Sequence, residues 1–561
     1  MEASLQVLRM RAFLAALILP LIAAPIAEAQ VVFTDIGPSK GIEPYVMPVG
    51  PVGGVAAGDY DNDGFVDVFV PNAEGVPDQL YHNLGNGSFE QVAAAVGLAS
   101  LENNRAALWF DYNGDHRLDL VVGSDCRSDP LTSDPCENPV NLRLYRQDSD
   151  GMFVDVTVEA DLDLSWGTGV GNRHLSGLAA GDINNDGYLD LYVCAWNGRA
   201  YMYRNNGDGT FTDITVACGM ADQTFFHHQP VLFDFNLDGW MDIHVAVDIQ
   251  TDNFLWINQG TSPRGGSITF VDGASFAGVN NAMTDMGITL GDYDNDGDID
   301  IYVTQITRND DHNVFYRNDS VGKNLSFSEI AVTLGVDDGY WGWGATFLDF
   351  NNDTWLDLAA TNGKNIDPWD VDPSKLWLNM GGDPITYSDV SNDVQFNDTF
   401  IGASLIAFDY NRDGDIDMMQ TTSGGPLRLL DNVPNGARGT NHYLVVRPRM
   451  AGTNHYAIGS VVRVTVGATT MMRPILAGTS MVGQEPAEAF FGLGSATVVD
   501  QVVVQYPNGE RETLNNVAAD QVITVTSGPP IPTASTWGAL TMALLLMIAG
   551  TYAFRRVATN P

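Results

Sequence analysis

The stretch GDYDNDGDID, residues 291–300, places five aspartates at alternating positions: Asp292, Asp294, Asp296, Asp298 and Asp300. Carboxylates about 5 Å apart repel each other by roughly 3 kcal/mol per pair at an effective dielectric near 20, so a bare loop of this kind would open. A cation is therefore expected among them. Oxygen ligands at positions 1, 3 and 5, a glycine at 6 and a further acid nearby are typical of a calcium loop. The closing acid stands at position 9 instead of 12, so the loop need not lie between two helices.

The same nine-residue pattern occurs seven times, and this repetition distinguishes a metal loop from an ordinary solvated acidic turn. Positions 1, 5 and 9 are aspartate in all seven loops, position 3 is Asp or Asn, and positions 2 and 8 are apolar. We number the loops 1–7 and predict up to seven structural Ca²⁺ ions. The predicted ligands at positions 1, 3, 5, 7 and 9, with position 7 offering its backbone carbonyl, are Asp59, Asp61, Asp63, Phe65, Asp67, Asp111, Asn113, Asp115, Arg117, Asp119, Asp182, Asn184, Asp186, Tyr188, Asp190, Asp234, Asn236, Asp238, Trp240, Asp242, Asp292, Asp294, Asp296, Asp298, Asp300, Asp349, Asn351, Asp353, Trp355, Asp357, Asp409, Asn411, Asp413, Asp415 and Asp417.

Two loops lack the glycine at position 6. His116 replaces it in loop 2, and Thr354 replaces it in loop 6. A positive φ is expected at this position, and histidine tolerates it better than a β-branched threonine does. Loop 6 is therefore the site that fits the pattern least well.

Each loop joins two predicted β-strands, because a short apolar run precedes it and an alternating run follows it, as in MGITLG and IDIYV around loop 5. A third strand ends in a unit such as Phe315-Tyr316-Arg317-Asn318. A fourth strand is predicted to begin at an aromatic residue, namely Phe89, Phe153, Phe211, Phe270, Phe327 or Tyr387. The loop-to-loop spacings of 52, 71, 52, 58, 57 and 60 residues suit four-stranded propeller blades with insertions.

The seventh repeat lacks a fourth strand, since residues 429–432 run directly into VPNGARGTN. A matching stretch, VFTDIGPSKGI at 32–42, stands near the N-terminus and resembles TFTDITVACGM at 210–220. Pairing of this strand with the seventh repeat would close the ring and remove exposed sheet edges. We therefore predict an all-β fold with a seven-bladed β-propeller over residues 30–435. An open solenoid is the alternative, and it leaves the displaced strand unexplained.

The repeats resemble FG-GAP/VCBS repeats, which also form the propellers of integrin α-chains, from residue 31 to about 435. Residues 441–527 resemble an ASPIC/UnbV domain in NHYAIGSVVRVTVG (454–467), EAFFGLGSATVVDQVVVQYPNGERETL (488–514) and QVITVT (521–526). The combination is similar to the cartilage acidic protein family and its bacterial members. This resemblance implies extracellular calcium binding and adhesion-like interaction, and it supplies no catalytic residue. A small β domain over 436–527 also follows from Asn508-Gly509, which predicts a hairpin between two alternating runs.

Both ends of the chain carry predicted targeting signals. Arg9 and Arg11 precede the apolar run FLAALILPLIAAPIA, and 27–29 fits a cleavage site, so residues 1–29 are interpreted as a signal peptide. Residues 528–561 contain a spacer, the motif IPTASTWG, an apolar stretch of about 16 residues and two arginines. One interpretation is a C-terminal transmembrane anchor. The preferred one is that the tail resembles the IPTL-type, exosortase-like sorting signals of Gram-negative bacteria, which implies transient anchoring in the inner membrane and recognition by processing machinery.

Composition agrees with an exported, ion-loaded protein. Acidic residues outnumber Lys and Arg by 70 to 27, which gives a formal charge of −43. Nucleic acid is not expected as a partner, because no basic cluster is present to neutralise phosphates. Cys126 and Cys136 bracket an insertion and are predicted to form a disulfide in an oxidising compartment. Cys194 and Cys218, assigned to the second and fourth strands of the third repeat, either pair or are two buried small residues.

The loops that enter the first strand of each repeat should open on one mouth of the ring. They contain the candidate ligand-binding residues Arg173, His174, His227, His228, Tyr340, Trp341 and Trp343. Aromatic planes beside polar groups suit sugar rings, and paired histidines can bind a metal or move protons. The alternative is that the aromatic residues pack between blades and that the histidines make ordinary loop hydrogen bonds.

These features predict a non-enzymatic, exported calcium-binding scaffold that binds an extracellular glycan or a surface protein at the bacterial envelope. The sequence contains no GxSxG elbow, HExxH helix or phosphate-binding glycine loop. The alternative is a calcium-dependent extracellular polysaccharide lyase that uses a mouth histidine or tyrosine as its base.

Overall fold

The computed structural model describes residues 31–42, 53–124, 142–162, 174–220, 225–260, 267–306, 312–364, 372–434 and 440–528. Regular structure in these ranges is almost entirely β-strand, as predicted. The helical segments described there are a 3-10 helix at Gly37–Lys40 and three single turns, α1 (Ala93–Val96), α2 (Ala274–Ala277) and α3 (Ala331–Leu334). None of the described helices has the length and apolar character needed to span a membrane.

Several predictions fall outside the described ranges and stay predictions. They concern the signal peptide at 1–29, the disulfide between Cys126 and Cys136, the mouth residue Arg173, and the C-terminal sorting signal with its helix.

The repeat region consists of short antiparallel strands. In chain order they are β1 (Val31–Asp35), β2 (Val55–Gly58), β3 (Asp67–Val70), β4 (Gln79–Asn83), β5 (Phe89–Gln91), β6 (Asn104–Phe110), β7 (Asp119–Ser124), β8 (Leu142–Gln147), β9 (Phe153–Asp155), β10 (His174–Gly181), β11 (Asp190–Trp196), β12 (Tyr201–Asn205), β13 (Phe211–Asp213), β14 (His227–Phe233), β15 (Asp242–Val247), β16 (Phe254–Asn258), β17 (Phe270–Asp272), β18 (Asp285–Gly291), β19 (Asp300–Gln305), β20 (Val314–Asn318), β21 (Phe327–Glu329), β22 (Gly342–Leu348), β23 (Asp357–Asn362), β24 (Lys375–Asn379), β25 (Tyr387–Asp389), β26 (Gly402–Phe408), β27 (Asp417–Thr422) and β28 (Arg428–Pro434).

These strands form seven sheets, which we number 1–7. Sheets 1–6 each pair four strands that are consecutive in the chain, namely β2–β5, β6–β9, β10–β13, β14–β17, β18–β21 and β22–β25. Sheet 7 has the order β1-β28-β27-β26, with Phe33 opposite Asn432. The prediction that an N-terminal strand completes the seventh repeat is confirmed. The fourth strands of the other six sheets begin at the predicted aromatic residues.

Neighbouring sheets pack against each other through their first strands. The contacts run from β2 to β6, β10, β14, β18, β22 and β26, and β26 contacts β2 again. Aromatic rings at loop position 2 pack across the same boundaries. Tyr112 stacks on Phe211 of sheet 3 with centroids 6.1 Å apart, and Tyr410 stacks on Phe89 of sheet 1 at 6.0 Å. This packing explains why position 2 is apolar in every loop.

The inner strands are buried on both faces, because neighbouring sheets cover them. Every residue of β18 and β19 is buried, whereas in the outer strand β17 only Phe270 is buried. The sequences of the inner strands consequently consist mostly of apolar or small residues. The loops that join the first and second strands therefore start and end on rigid, buried elements.

Residues 440–528 form two further sheets. Their strands are β29 (Tyr443–Arg449), β30 (Val461–Val466), β31 (Thr469–Pro474), β32 (Gly483–Gln484), β33 (Ala489–Gly492), β34 (Val498–Gln505), β35 (Arg511–Ala518) and β36 (Gln521–Thr526). The sheet orders are β33-β29-β36 and β31-β30-β34-β35, while β32 pairs in parallel with β2 of sheet 1. The hairpin predicted at Asn508-Gly509 is confirmed between β34 and β35.

The two described cysteines are free thiols buried in one apolar cluster with Met202 and Trp256. Of the two alternatives, a disulfide or two buried small residues, the structure shows two buried small residues. The assignment of Cys218 to the fourth strand is wrong, because β13 ends at Asp213 and the chain turns before reaching the cysteine.

Candidate metal centres

The aspartate at position 9 is buried in every loop and anchors the loop to its own sheet. In loop 5, Asp300 Oδ2 accepts the Tyr293 N–H at 3.2 Å, and Oδ1 accepts the Asn318 N–H at 2.8 Å. The bond to Oδ1 recurs in all seven loops with a donor from the third strand, namely Asn83, Gln147, Asn205, Asn258, Asn318, Asn379 or Asn432. Position 9 therefore has a structural role as well as being a candidate ligand.

The side-chain amides of the same third-strand residues tie neighbouring loops together. Asn205 Nδ2 donates to the Leu189 carbonyl of its own loop at 3.2 Å and to the Tyr112 carbonyl of the preceding loop at 2.8 Å. Equivalent bonds across a sheet boundary are made by Asn83, Gln147, Asn258, Asn379 and Asn432. The bond from Asn83 reaches the Tyr410 carbonyl and joins the first repeat to the seventh. Each of these loops is thus positioned by its neighbour as well as by its own sheet.

Two backbone positions are left-handed in every loop. At position 6, φ lies between 68° and 98°, so the positive φ predicted there is confirmed even at His116 and Thr354. At position 4, φ lies between 52° and 74°, which the sequence analysis did not predict. Asparagine adopts this conformation at low cost. In loops 1, 3, 5 and 6 its side chain also donates to the position-6 carbonyl of the next loop.

Each loop folds around its own carboxylates. In loop 5, the Asp296 N–H donates to Asp292 Oδ1 at 3.1 Å, and the Asp298 N–H donates to Asp296 Oδ1 at 2.9 Å. The bond from the position-7 N–H to the position-5 carboxylate is present in all seven loops at 2.8–3.0 Å. These bonds leave the position-7 carbonyl available as a ligand and hold the carboxylates together instead of letting them splay apart.

Loops 1 and 5 concentrate the most negative charge, because both have aspartate at position 3. Carboxylate oxygens of Asp292, Asp294 and Asp300 lie within 4.8 Å of one another, and so do those of Asp59, Asp61 and Asp67. In loops 2, 3, 6 and 7, position 3 is asparagine and its amide donates to the position-5 carboxylate at 2.9–3.1 Å. An amide donor there relieves the repulsion that a second carboxylate would add. In loop 2 the Arg117 side chain also pairs with Asp115.

The residues of loops 1 and 5 fit a hard cation. Three buried oxygens, Asp59 Oδ1, Asp292 Oδ2 and Asp294 Oδ1, have no hydrogen-bond partner among the described residues. Burial raises the pKa of Asp59 and Asp294 to about 6 and that of Asp292 to about 7. A buried, unpaired carboxylate that resists ionisation is an environment that a bound cation compensates. Calcium is the common cation that prefers an all-oxygen ligand set of this kind.

The sequence analysis missed one side chain at loop 1. His82, on β4, places its Nδ1 3.1 Å from Asp67 Oδ1 and 3.5 Å from Asp61 Oδ2. The Asp67 carboxylate raises the pKa of His82 to about 9. The signal available in the sequence was the unit Leu80-Tyr81-His82-Asn83, where the corresponding units of other repeats have arginine, an apolar residue or, in the seventh repeat, aspartate at the third place.

The C-terminal sheets cover part of the loop face, which the sequence analysis also missed. Arg447 of β29 and Arg412 of loop 7 both donate to the Gly64 carbonyl of loop 1, at 2.5 and 3.4 Å. Both arginines pair with the buried Glu488, at 2.8 and 2.7 Å respectively. Tyr456 donates to the His116 carbonyl of loop 2 at 3.2 Å. Nothing in the loop sequences distinguishes the arginine at position 4 of loop 7 from a solvated side chain.

The predicted mouth residues lie at the starts of three different first strands. His227 and His228 begin β14, and each is only 4% exposed. Burial lowers the pKa of His227 to about 3. His228 Nε2 lies 3.4 Å from Asp248 Oδ2. His174 begins β10, and its side chain lies outside the described part of the structure.

The aromatic candidates stand near β22. Trp341 and Trp343 are each 5% exposed, and Trp343 donates its indole N–H to the Gly363 carbonyl at 2.7 Å. The ammonium of Lys364 lies 5.5 and 5.4 Å from the two indole rings. Tyr340 is half-buried, with φ at 51°. Both tryptophans therefore offer little free ring surface to a ligand.

Family models match both regions of the chain. The FG-GAP-like repeat model matches residues 59–122, 125–193, 182–245, 234–303 and 292–360, and the ASPIC and UnbV model matches residues 450–531. Cartilage acidic protein 1 of Xenopus tropicalis is 27% identical over 336 residues, which are 56% of this chain and 48% of that protein. The human protein is 26% identical over 344 residues, which are 56% of this chain and 47% of its own length. The chain thus spans about half the length of these curated relatives.

Two further similarities are more restricted. Integrin alpha-7 of Mus musculus is 37% identical over 107 residues, which are 16% of this chain and 9% of the integrin. Among solved structures, a Bacillus licheniformis rhamnogalacturonan lyase aligns with 73% of this chain and 76% of its own at 11% identity and a TM-score of 0.37, a similarity too low to support any inference. The repeat matches alone cover more than half of the residues, so the chain belongs to the FG-GAP-like repeat family and carries an ASPIC and UnbV domain after its repeats.

Proposed function

We propose that this chain is an extracellular interaction protein in which calcium stabilises a ring of repeats that presents a binding surface for a glycan or a protein. The family and the similarity to integrin alpha and cartilage acidic protein support an interaction role. The observation that carries the proposal is the repeated loop, because one backbone turn gathers carboxylates at seven places. Without cations these clusters of like charge would oppose folding.

We infer that the seven sheets are the blades of one closed propeller. The cyclic order of first-strand contacts supports this, since it returns from β26 to β2. So do two links between the ends of the repeat region, the pairing of β1 with β28 and the bond from Asn83 to the Tyr410 carbonyl. A closed ring leaves no open sheet edge at its seam, which an open solenoid would have.

Calcium would have a structural role in this ring. Loops 1 and 5 are the strongest candidate sites, because among the described residues they bring three carboxylates within 4.8 Å of one another and also contain buried carboxylate oxygens without a hydrogen-bond partner. Loop 6 remains the weakest because Thr354 occupies a left-handed position. If external calcium is about a hundredfold above a site's dissociation constant, each occupied site stabilises the folded state by about 2.7 kcal/mol.

The location and the absence of catalysis are part of the same proposal. If the signal peptide and sorting tail expected from the sequence are functional, they would direct the protein to the envelope of a Gram-negative-type bacterium, with transient anchoring in the inner membrane. A non-enzymatic role is favoured because His227, His228, Trp341 and Trp343 are buried at the mouth. A glycan or protein ligand would then bind other parts of the surface.

Calcium binding can be tested at a single loop. Asp294→Asn gives loop 5 the residue that stands at position 3 of five other loops, and it removes one of three clustered carboxylates. We expect titration calorimetry to show one site weakened about tenfold, because ligand charge sets calcium affinity in such loops. Asp161→Asn is the matched control, since Asp161 is exposed and lies outside the loops. Identical calcium isotherms for Asp294→Asn and the wild type would contradict a site at loop 5.

The interaction role can be tested with the mature chain from Gln30 to Ser527 and the producing organism's own surface polysaccharide, with and without calcium. Calcium-dependent co-sedimentation with unchanged polysaccharide chain length is the expected result. Shortened chains would show that the protein is an enzyme. If neither effect is observed, the ligand is not this glycan, and a protein partner becomes the hypothesis to test.

A further inference from the structure

A nine-residue segment of the C-terminal region leaves its own sheets and contacts the repeats. This axial segment, residues 477–485 with the sequence AGTSMVGQE, lies between β31 and β33. It contacts the first strand of every one of the seven sheets. The partners are Val55 and Ala56 on β2, Trp109 on β6, Ala180 on β10, Gln229 on β14, Ile288 on β18, Thr346 on β22 and Leu405 on β26.

So short a segment reaches seven strands only if they surround it. Nine residues span at most about 30 Å even when fully extended. The contacts alternate around the segment instead of following one sheet, because Ser480 bonds to both β18 and β26 while Gly483 pairs with β2. The first strands therefore converge on a common axis that the segment occupies.

The contacts are backbone-like hydrogen bonds with good geometry. Gln484 completes a strand-like pair with Trp109, since its Oε1 accepts the Trp109 N–H at 2.7 Å and its Nε2 donates to the Trp109 carbonyl at 2.9 Å. Ser480 and Ile288 exchange two backbone bonds at 2.6 and 2.9 Å. The Val482 N–H donates to Gln229 Oε1 at 2.8 Å. Buried amides satisfied in this way are costly to separate.

The surrounding strands are shaped for this occupant. A Cβ at Gly54, which precedes β2, would lie 2.1 Å from the Val482 carbonyl oxygen. Within the segment, a Cβ at Gly483 would lie 2.5 Å from Ser404 Oγ. Glycines on both sides of the contact allow backbones to approach closely, which an unfilled channel would not need.

We propose that the axial segment is an intramolecular ligand of the ring, which fills its central channel and makes the seven sheets and the C-terminal sheets unfold as one unit. The proposal rests on the closed ring of the proposed function. It has a functional consequence, because an external partner is excluded from the channel and from the part of the loop face that Arg447 and Tyr456 cover. A partner surface must then lie on the outer rim or on the opposite face.

Hydrogen exchange of the full chain, measured by mass spectrometry, tests this proposal with one variant and one matched control. Gly483→Val inserts a side chain where a Cβ would lie 2.5 Å from Ser404 Oγ, and Gly483 does not have a positive φ, so its own backbone is not strained. Gly452→Val is the control, since a Cβ there meets nothing within 4 Å. We expect amides of 477–485 to exchange at least tenfold faster in Gly483→Val than in the wild type and in Gly452→Val. Thermal unfolding should change from one transition to two.

Two outcomes would overturn the proposal. One is fast exchange of 477–485 in the wild type, and the other is equal exchange in the wild type and Gly483→Val. If Gly483→Val does not fold, Gln484→Ala replaces it, because it removes only the two bonds to Trp109, and the Trp109 amide should then exchange at least tenfold faster. Unchanged exchange at Trp109 would also overturn the proposal. Measuring exchange with and without calcium separates this proposal from the proposed function. If calcium does not slow exchange in the loops, the proposed function is contradicted. Exchange of residues 477–485 in the same samples tests the axial segment independently.

Discussion

Glu488 is the buried centre of a network that joins the seventh repeat, the first repeat and the C-terminal sheets. Arg412 contacts it through two bonds of 2.7 and 2.9 Å, and Arg447 through one of 2.8 Å. Both arginines also donate to the Gly64 carbonyl. We predict that Glu488→Gln destabilises the protein strongly, because it removes the one carboxylate that pairs directly with both guanidinium groups and leaves only the loop carboxylates Asp59 and Asp409 to offset their charge.

The expected loss follows from two separate arguments. Removing one partner of a buried ion pair costs about 3–5 kcal/mol in other proteins. Burial alone would raise the pKa of Glu488, but the two arginines outweigh it and lower the pKa from 4.5 to about 2. At 1.36 kcal/mol for each pKa unit, that shift corresponds to roughly 3 kcal/mol. Both arguments give a loss of about 3 kcal/mol in the free energy of unfolding.

The assay is thermal and denaturant unfolding in saturating calcium, so that the loops stay loaded. An unfolding entropy of about 2.1 cal/mol/K per residue over roughly 500 residues converts 3 kcal/mol into a fall in Tm of about 3 °C. Glu510→Gln is the matched control, since Glu510 is exposed in a turn, and it should change stability by less than about 0.5 kcal/mol. The pH dependence has a definite sign because the pKa of Glu488 is lowered in the folded state. The contribution of ionised Glu488 to the free energy of unfolding is complete above about pH 4.5 and is lost as pH falls toward 2. The difference between variant and wild type should therefore be constant from pH 6 to 8. A loss no larger than that of Glu510→Gln would refute the reasoning.

Three further predictions concern calcium, loop 6 and the axial segment. Removal of calcium with EDTA should lower Tm by several degrees, since each site occupied at a hundredfold excess contributes about 2.7 kcal/mol; an unchanged Tm would contradict structural calcium. Thr354→Gly should raise the free energy of unfolding by about 1 kcal/mol, because a β-branched residue there has φ at 87°, and a loss of stability in denaturant titration would show that the Thr354 side chain stabilises the loop. Burial raises the pKa of Glu485 from 4.5 to about 7, so its contribution is complete below about pH 4.5 and is lost as pH rises through 7. Glu485→Gln should therefore nearly match the wild type at pH 4 and be roughly 3 kcal/mol more stable at pH 8, and parallel stability-versus-pH curves would disprove this.

Local features of the fold could be predicted because the repeats encode them locally. Fourth strands begin at the aromatic residues expected, from Phe89 to Tyr387, since an aromatic residue after a turn is a signal of short range. The strand that completes sheet 7 was also predictable, because VFTDIGPSKGI matches the fourth strand of another repeat. The left-handed φ at position 6 followed from five glycines in seven loops.

Contacts between distant parts of the chain could not be predicted in this way. Arg412 occupies a loop position where other repeats have mostly asparagine, and only the position of Glu488, 76 residues later, gives it a buried partner. From the sequence alone the axial segment resembles a small-residue linker, because its specificity lies in backbone groups and in close approaches at glycines such as Gly54 and Gly483. The absence of a Cβ at Gly54 can be explained only once its contact with Val482 is known. The burial of the mouth side chains likewise could not be predicted from the sequence. A tryptophan beside a glycine is compatible both with a sugar-binding site and with a packed core.

The seam between the seventh and the first repeat shows why the C-terminal region belongs to the same folding unit as the repeats. Several contacts cross it, among them the pairing of β1 with β28, the bond from Asn83 to the Tyr410 carbonyl and the bond from Arg412 to the Gly64 carbonyl. Only the third depends on residues outside the repeats, because Glu488 fixes the orientation of Arg412. In the proposed ring, seven acidic loops repel one another, and the seam is where that repulsion would open the ring. The C-terminal region places Arg447, Glu488 and the axial segment where they oppose that opening, and Glu488 holds Arg412 of loop 7 in place, so the repeats and the domain that follows them stabilise each other.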